Sequence, residues 1–167
     1  AVLGSLLLSI MALVDVAGGQ TLQIPLYTWA DSGNLHIAIG LFVDQLTVAM
    51  LLLVTIVSSL VHVYTIGYMH GEPGYARFFS NIALFTFSML MLVMSDNFLQ
   101  LFVFWEAVGL CSYLLIGHWY ERESARAAAT KAFLVNRVGD FGFMLGILLV
   151  FVTFGSLQYQ EVFPQLE

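Results

Sequence analysis

A single glutamate, Glu106, stands near the middle of a long apolar run and is the residue whose position most demands a chemical explanation. The run covers residues 98–117 and contains no other charged residue. About 20 apolar residues at ~1.5 Å rise each are enough for a helix to cross a bilayer. An ionisable group at that depth costs about 2.5–3.5 kcal/mol and usually serves an ion, a proton or a partner charge. We interpret Glu106 as a candidate proton relay. The alternative is a permanently protonated glutamate that hydrogen-bonds across helices.

A second charged pair, Arg137 and Asp140, lies inside another apolar run. The two residues are three apart and therefore share one face of a helix. One interpretation is an internal ion pair that neutralises itself and fixes packing. The other is that these groups tune Glu106 or extend its proton path. Their closeness to Glu106 is expected because the two runs are joined by a short connection.

A polar stripe follows one face of an earlier apolar run and includes a histidine. Its spacings of 3, 8, 3, 4 and 3 keep its members in line along a helix. Hydroxyl groups in such a stripe usually bond neighbouring helices. His62 can in addition carry a proton near neutral pH, so both roles stay open for it. The stripe consists of Asp44, Thr47, Thr55, Ser58, His62 and Thr65.

Composition places the chain among helical membrane proteins. It has 167 residues, of which 60% are hydrophobic and 10% charged, and its mean hydropathy is +0.90. Soluble domains are about 45–50% apolar and about 25% charged. The continuous apolar runs exclude a membrane β-barrel, whose strands alternate. We predict an all-α polytopic membrane protein with about five transmembrane helices, at 1–17, 43–69, 78–94, 98–118 and 130–153.

The charges between these spans sort onto two sides. The connections 70–77 and 119–129 carry the arginines, and Lys131 stands at the edge of the second. The segments 18–42, 95–97 and 154–167 contain no lysine or arginine. Lysine and arginine concentrate on the cytoplasmic side of membrane proteins. The sequence therefore predicts a basic cytoplasmic side and an acidic outer side.

The segment 18–42 is predicted to form an outer-face β-hairpin. Apolar and polar residues alternate on both sides of the cluster Asp31-Ser32-Gly33-Asn34. Alternation around such a turn cluster is typical of a hairpin.

Other kinds of chemistry find no support in the sequence. Cys111 is the only cysteine, and no His or Cys pair has the spacing of a metal or haem site. There is no glycine-rich phosphate loop, nucleophile motif or nucleic-acid-binding patch. We therefore expect no cofactor, metal or nucleic acid to bind this chain.

Four blocks together resemble a known family. They are residues 42–47, 68–79, 105–117 with its Trp-Glu pair, and 131–140 with Asn-Arg-Val-Gly-Asp. In this order they resemble the antiporter-like, proton-pumping membrane subunit of respiratory complex I, NADH:quinone oxidoreductase chain 5 or subunit L. The resemblance covers the chain from about residue 20 onward. Subunits of multisubunit Na⁺/H⁺ antiporters share the deep glutamate and stay the alternative.

The resemblance implies a proton-translocating function for the whole protein. Glu106 matches a key protonatable residue of a proton half-channel that works with a lysine on a later helix. Arg137 and Asp140 match positions near that site. Residues 1–167 then form a single membrane domain, a fragment of a larger subunit of a translocase, with no redox site of its own. A purely structural membrane anchor is the third alternative.

The same resemblance implies the surroundings of the protein. NADH, FMN, iron–sulfur clusters and quinone are expected in other subunits. The expected partners are the other membrane-arm subunits, the lipid bilayer and protons. The loop 71–75 favours a bacterial inner membrane over a mitochondrial one.

Overall fold

The chain folds into a series of helices with one hairpin between the first two helices. A computed structural model describes residues 1–32 and 35–166. Its elements in chain order are α1 (Val2–Val16), β1 (Leu22–Ser32), β2 (Leu35–Val43), α2 (Gln45–Tyr68), α3 (Tyr75–Val93), α4 (Phe98–Ile116), α5 (Glu123–Phe154) and α6 (Tyr159–Val162), followed by a 3-10 turn (Phe163–Leu166). The predicted mostly helical membrane class is confirmed.

Four helices, α2 to α5, are long and apolar enough to cross a membrane. They coincide with four of the five predicted spans. The fifth, predicted over 1–17, forms the apolar helix α1 of 15 residues. A span normally needs about 17–25 residues, so α1 falls just short of that length.

Helix α5 is longer than the span predicted at 130–153. It has 32 residues and begins at Glu123. At ~1.5 Å per residue it measures about 48 Å, whereas the hydrocarbon core of a bilayer is about 30 Å thick. Alanines at 127–129 are strong helix formers and extend the helix into the predicted loop. The first two turns of α5 therefore extend past the length that a membrane would cover.

The helices pack in chain order. Helix α1 contacts α2, α2 contacts α3, α3 contacts α4 and α4 contacts α5. Two of the long helices begin with a side-chain cap. Asp44 Oδ1 accepts the Thr47 N–H at 2.7 Å, and Asn97 Oδ1 accepts the Gln100 N–H at 2.8 Å. Asp44 therefore caps the N-terminus of α2, which is a structural role.

The predicted hairpin is present as the antiparallel pair β1–β2. Its predicted turn residues Gly33 and Asn34 lie outside the described residues. Strand β2 is held against the start of α4: the Asn97 amide donates to the Ala38 carbonyl at 2.8 Å. The Gln100 amide bonds both backbone groups of Gly40, at 3.1 and 2.9 Å.

The tail joins the same end of the helix bundle. The Tyr159 N–H donates to the Asp96 carbonyl at 3.2 Å, and the Phe98 N–H donates to the Leu157 carbonyl at 3.1 Å. The hairpin, the α3–α4 connection and the tail therefore lie together. This grouping confirms the predicted threading, in which the three segments without lysine or arginine share one side.

Candidate functional site

Glu106 lies in the middle of α4 and faces α5. It is about 12 Å along the axis from the first residue of α4 and about 15 Å from the last. Gly109 and Gly117, on the same face, let α5 approach closely. A Cβ at Gly109 would lie 3.6 Å from the Asn136 Nδ2 atom, and one at Gly117 would lie 3.4 Å from the Ala129 Cβ. The predicted close helix contact at this face is confirmed.

Arg137 on α5 stands between two carboxylates. Its Nη1 atom forms a direct ion pair with Glu106 Oε2 and lies 3.7 Å from Asp140 Oδ2. The side chains of Glu106 and Asp140 are 19% and 9% exposed, and that of Arg137 is 39% exposed. The structure therefore brings together three of the predicted site residues. One guanidinium serves two acids, so the cluster holds one more acid than base.

Trp105 is a member of this cluster that the sequence did not indicate as one. Its indole Nε1–H donates to Asp140 Oδ1 at 3.1 Å. Trp105 is 50% exposed in the structure, but an indole N–H inside a membrane span needs an acceptor, so a tryptophan deep in a span was the available signal. The bond ties Asp140 to α4 through one oxygen and leaves the other directed at Arg137.

Aromatic rings flank the cluster along the α4–α5 contact. The Arg137 guanidinium lies over the Phe133 ring, 4.6 Å from its centroid. The centroids of the Phe133 and Tyr113 rings are 5.3 Å apart. On the other side of the cluster, the ring centroids of Phe143 and Trp105 are 5.7 Å apart. The spacing of four residues between Phe133 and Arg137 predicts their contact on one helix. These rings place apolar surface beside the charges, and Arg137 is 39% exposed.

His62 belongs to a separate polar group on α2. Its Nδ1 atom lies 2.7 Å from the Ser58 carbonyl oxygen and 3.3 Å from Ser58 Oγ. Its Nε2 atom is buried and has no hydrogen-bond partner among residues 1–32 and 35–166. Helix α3 packs between α2 and α4, so the structure does not bring His62 to Glu106.

The hydroxyls of the stripe divide between two roles. Ser58 Oγ and Thr86 Oγ1 are 2.6 Å apart and join α2 to α3. Thr55 Oγ1 instead donates to the Leu51 carbonyl of its own helix at 2.7 Å. The interhelical role favoured for the hydroxyl groups is therefore confirmed for Ser58. In the part of the chain that the structure describes, no three His, Cys, Asp or Glu residues are grouped as they would be around a metal ion.

Two family profiles match this chain. Residues 29–79 match the N-terminal region of NADH-ubiquinone oxidoreductase (complex I) chain 5. Residues 95–166 match the transmembrane region of NADH:quinone oxidoreductase and Mrp antiporter subunits. The second match includes α4 and α5 and therefore the Glu106 cluster.

Two bacterial proteins are similar in sequence to most of this chain. NADH-quinone oxidoreductase subunit L of Neisseria meningitidis serogroup A is 63% identical over 142 residues, which are 84% of this chain and 21% of that protein. Subunit L of Rickettsia felis is 50% identical over 164 residues, 98% of this chain and 25% of that protein. The chain thus spans a quarter or less of the length of these relatives.

A solved structure shows the same fold. The membrane-bound sulfane sulfur reductase, an archaeal respiratory membrane complex, contains a chain that aligns with a TM-score of 0.76 and 22% identity, over 94% of this chain and 31% of that chain. The two profiles and the identities to subunit L agree with the blocks that resembled this family in the sequence. The chain belongs to the antiporter-like membrane subunits of NADH:quinone oxidoreductase, the family of chain 5 or subunit L, and is a multi-pass membrane protein.

Proposed function

We propose that the whole protein translocates protons across the membrane as part of NADH:quinone oxidoreductase, with Glu106 as the group that takes up and releases the proton. The observation that carries this proposal is the sharing of Arg137 by Glu106 and Asp140. A buried carboxyl group favours its neutral form, and a nearby cation favours the charged form. Moving one guanidinium from one acid to the other therefore changes which acid holds a proton.

The surroundings of Arg137 leave it free to make this movement. Its Nε atom is buried and, within the described chain, has no hydrogen-bond partner. Its guanidinium rests on the Phe133 ring, which attracts a cation without fixing one direction. Asp140, in contrast, is held by Trp105. Arg137 is thus the movable member of the cluster, and Asp140 is its second position.

We assign His62 to a separate step. Its free Nε2 atom and its contacts with Ser58 allow it to pass a proton along the α2–α3 contact. The Ser58–Thr86 bond continues this polar path onto α3. The path does not reach Glu106 through bonds of the described residues. A further group would have to connect the two.

We place the remaining chemistry of the complex elsewhere. NADH, FMN, the iron–sulfur clusters and quinone are assigned to other subunits, and the other membrane-arm subunits are the partners. The Neisseria and Rickettsia relatives favour the inner membrane of a bacterium as the location. In this arrangement the chain contributes to a translocase and carries out no redox step itself.

The test is Glu106→Gln in the full-length protein within the intact complex. NADH oxidation and proton uptake are measured together in sealed membrane vesicles. We expect fewer protons per NADH, because glutamine cannot take up a proton in this pH range. Glu123→Gln, the same change on the exposed first turn of α5, is the matched control and should leave the ratio unchanged. An unchanged ratio in Glu106→Gln would reject the relay and favour a packing role.

The second candidate function is cation/proton antiport, because one matching profile also describes Mrp antiporter subunits. The two functions differ in their driving force. Proton movement that follows NADH addition supports the complex I function. Proton movement that follows a Na⁺ gradient and ignores NADH supports the antiporter. A structural anchor predicts no effect of Glu106→Gln in either assay.

A further inference from the structure

A polar cavity lies on the basic side of the chain, far from the Glu106 cluster. It has a volume of about 340 Å³ and is lined by the loop before α3 and by the α4–α5 connection. Sites for small molecules are commonly about 300–1,000 Å³. His118 lines it and is only 3% exposed. Within residues 1–32 and 35–166, neither ring nitrogen of His118 has a hydrogen-bond partner, although both are buried.

The unpartnered ring of His118 faces the N-terminus of α3. A Cβ at Gly74 would lie 3.3 Å from His118 Cε1 and 3.7 Å from its Nε2. Burial and the nearby Arg77 lower the pKa of His118 from its ordinary 6.5, and Glu72 acts in the opposite direction. The ring is therefore uncharged at neutral pH and offers one donor and one acceptor. Buried nitrogens of this kind normally have partners, so a ligand is a physical explanation for them.

Two arginines in the same cavity have no acidic partner. In the part of the chain that the structure describes, no carboxylate lies within 4.0 Å of Arg77 or Arg122. The Arg77 Nη2 atom donates to the His118 carbonyl at 3.1 Å, and its guanidinium lies over Tyr120. The Arg122 guanidinium lies over Trp119. Each guanidinium lies over an aromatic ring and keeps donors available for an anion.

Two helix N-termini meet at this cavity as well. Gly74 is the N-cap of α3, and Arg122 is the N-cap of α5. Neither residue caps its helix through a side-chain hydrogen bond. The first N–H groups of a helix have no partner within it, and they favour a phosphate or another anion. The buried imidazole, the arginines and the helix ends all point to one anionic group.

Two acids at the cavity indicate a second, cationic group on the same ligand. Glu72 and Glu121 line the cavity together with Arg77 and Arg122, so its formal charge sums to zero. A simple anion would meet repulsion from these acids. A ligand with one phosphate and one ammonium group would complement both pairs.

The position of the cavity suggests that this ligand is a lipid. Trp119 and Tyr120 are 36% and 55% exposed, and such aromatic residues concentrate at membrane interfaces. A second cavity of about 220 Å³ shares Arg77 and Tyr120 with the first and is also lined by Leu114, Asn81 and Arg126.

We propose that this cavity binds the headgroup of phosphatidylethanolamine from the leaflet on the basic side of the chain. The phosphate contacts Arg77, Arg122, His118 and the start of α3. The ammonium group contacts Glu72 or Glu121. This assignment is independent of proton translocation, because none of these residues belongs to the Glu106 cluster.

The experiment is photo-crosslinking in the purified complex that contains the full-length protein. A photoreactive phosphatidylethanolamine is added after the native lipid has been removed, and labelled peptides covering residues 118–122 are measured by mass spectrometry. A hydrogen bond to a charged group contributes about 1.5–3 kcal/mol, so Arg77→Gln should reduce the label about tenfold or more. Lys131→Gln makes the same charge change on the same side, outside this cavity, and should leave the label unchanged.

Competitors identify the ligand. Unlabelled phosphatidylethanolamine should displace the probe at lower concentration than phosphatidylglycerol, phosphatidylcholine or inorganic phosphate. The double variant Glu72→Gln with Glu121→Gln should keep the label and lose this preference, because the groups that contact the phosphate are unchanged. Equal labelling of Arg77→Gln and Lys131→Gln would overturn the site. Equal displacement by phosphatidylcholine, by phosphatidylglycerol or by inorganic phosphate would overturn the proposed lipid.

Discussion

Replacement of Arg137 by glutamine should weaken the α4–α5 contact more than replacement of Glu106. In Arg137→Gln, both Glu106 and Asp140 lose their cation. At an effective dielectric constant of about 20, the attraction between Arg137 and Asp140 across 3.7 Å is about 4.5 kcal/mol before desolvation is subtracted. Truncating one member of a buried charge pair has a net effect of about 2–5 kcal/mol. Because Arg137 is 39% exposed, we expect the lower part of that range.

Glu106→Gln should lower the stability of the α4–α5 contact less than Arg137→Gln does. Arg137 keeps Asp140 at 3.7 Å, and the glutamine carbonyl can still accept one of its hydrogen bonds. We expect a loss of about 1 kcal/mol, the net value of one hydrogen bond. In the double variant, only Asp140 lacks a cation, and it keeps the bond from Trp105. The double variant should therefore be more stable than the sum of the two single changes predicts, by about 1–3 kcal/mol.

Cys111 offers a native probe for this measurement. It lies on α4, five residues after Glu106, and is 1% exposed. Alkylation of Cys111 in the solubilised complex, followed by mass spectrometry as denaturant is raised, reports the opening of α4. Arg126→Gln is the control, since the described part of the chain shows no carboxylate within 4.0 Å of Arg126. Equal effects of Arg137→Gln and Arg126→Gln, or additive effects in the double variant, would refute the shared-cation arrangement.

Three further predictions concern the end of the bundle that holds the hairpin and the α2–α3 contact. Gln100→Ala leaves the Gly40 N–H and C=O unpaired, at about 1–3 kcal/mol each, and should speed hydrogen exchange in the 38–42 peptide. Burial raises the pKa of Asp96 above its ordinary 3.8, so the stability gained from its protonated form is present below that value and is lost as pH rises through the higher, folded-state pKa. Asp96→Asn should therefore remove the pH dependence of protection in the 38–42 peptide, and unchanged pH dependence would contradict this. Thr86→Val removes the bond to Ser58 and should lower stability by about 0.5–1.5 kcal/mol, measured as the denaturant midpoint of the solubilised complex.

Much of the architecture could be predicted from local sequence. Membrane helices need long apolar runs because their backbone groups must be paired within the segment, so the runs at α2 to α5 indicate spans directly. The hairpin followed from alternation and a turn cluster, and the sidedness of the loops from their arginines. The predicted start of α5 was seven residues late because it was taken from hydropathy. Hydropathy indicates where a helix enters the membrane, whereas the helix itself begins where helix propensity allows.

The docking of the hairpin could not be predicted in this way. Gly40 and Gln100 are 60 residues apart, and their pairing depends on the angle at which β2 meets α4. The contact between His118, in the α4–α5 connection, and Gly74, just before α3, likewise joins segments that are far apart in the sequence. Neither contact leaves a periodic signal in the chain, because each consists of one residue from each element.

The sequence by itself determined that Glu106 lies within a membrane-crossing helix and that Arg137 and Asp140 share a helical face. Both conclusions depend only on hydrophobic run length and on the period of a helix. Only the tertiary structure decided that Arg137 pairs directly with Glu106, that Asp140 is its second acid and that Trp105 holds Asp140. Those partners depend on how α4 and α5 are rotated and shifted against each other, and that arrangement comes from side-chain packing between helices.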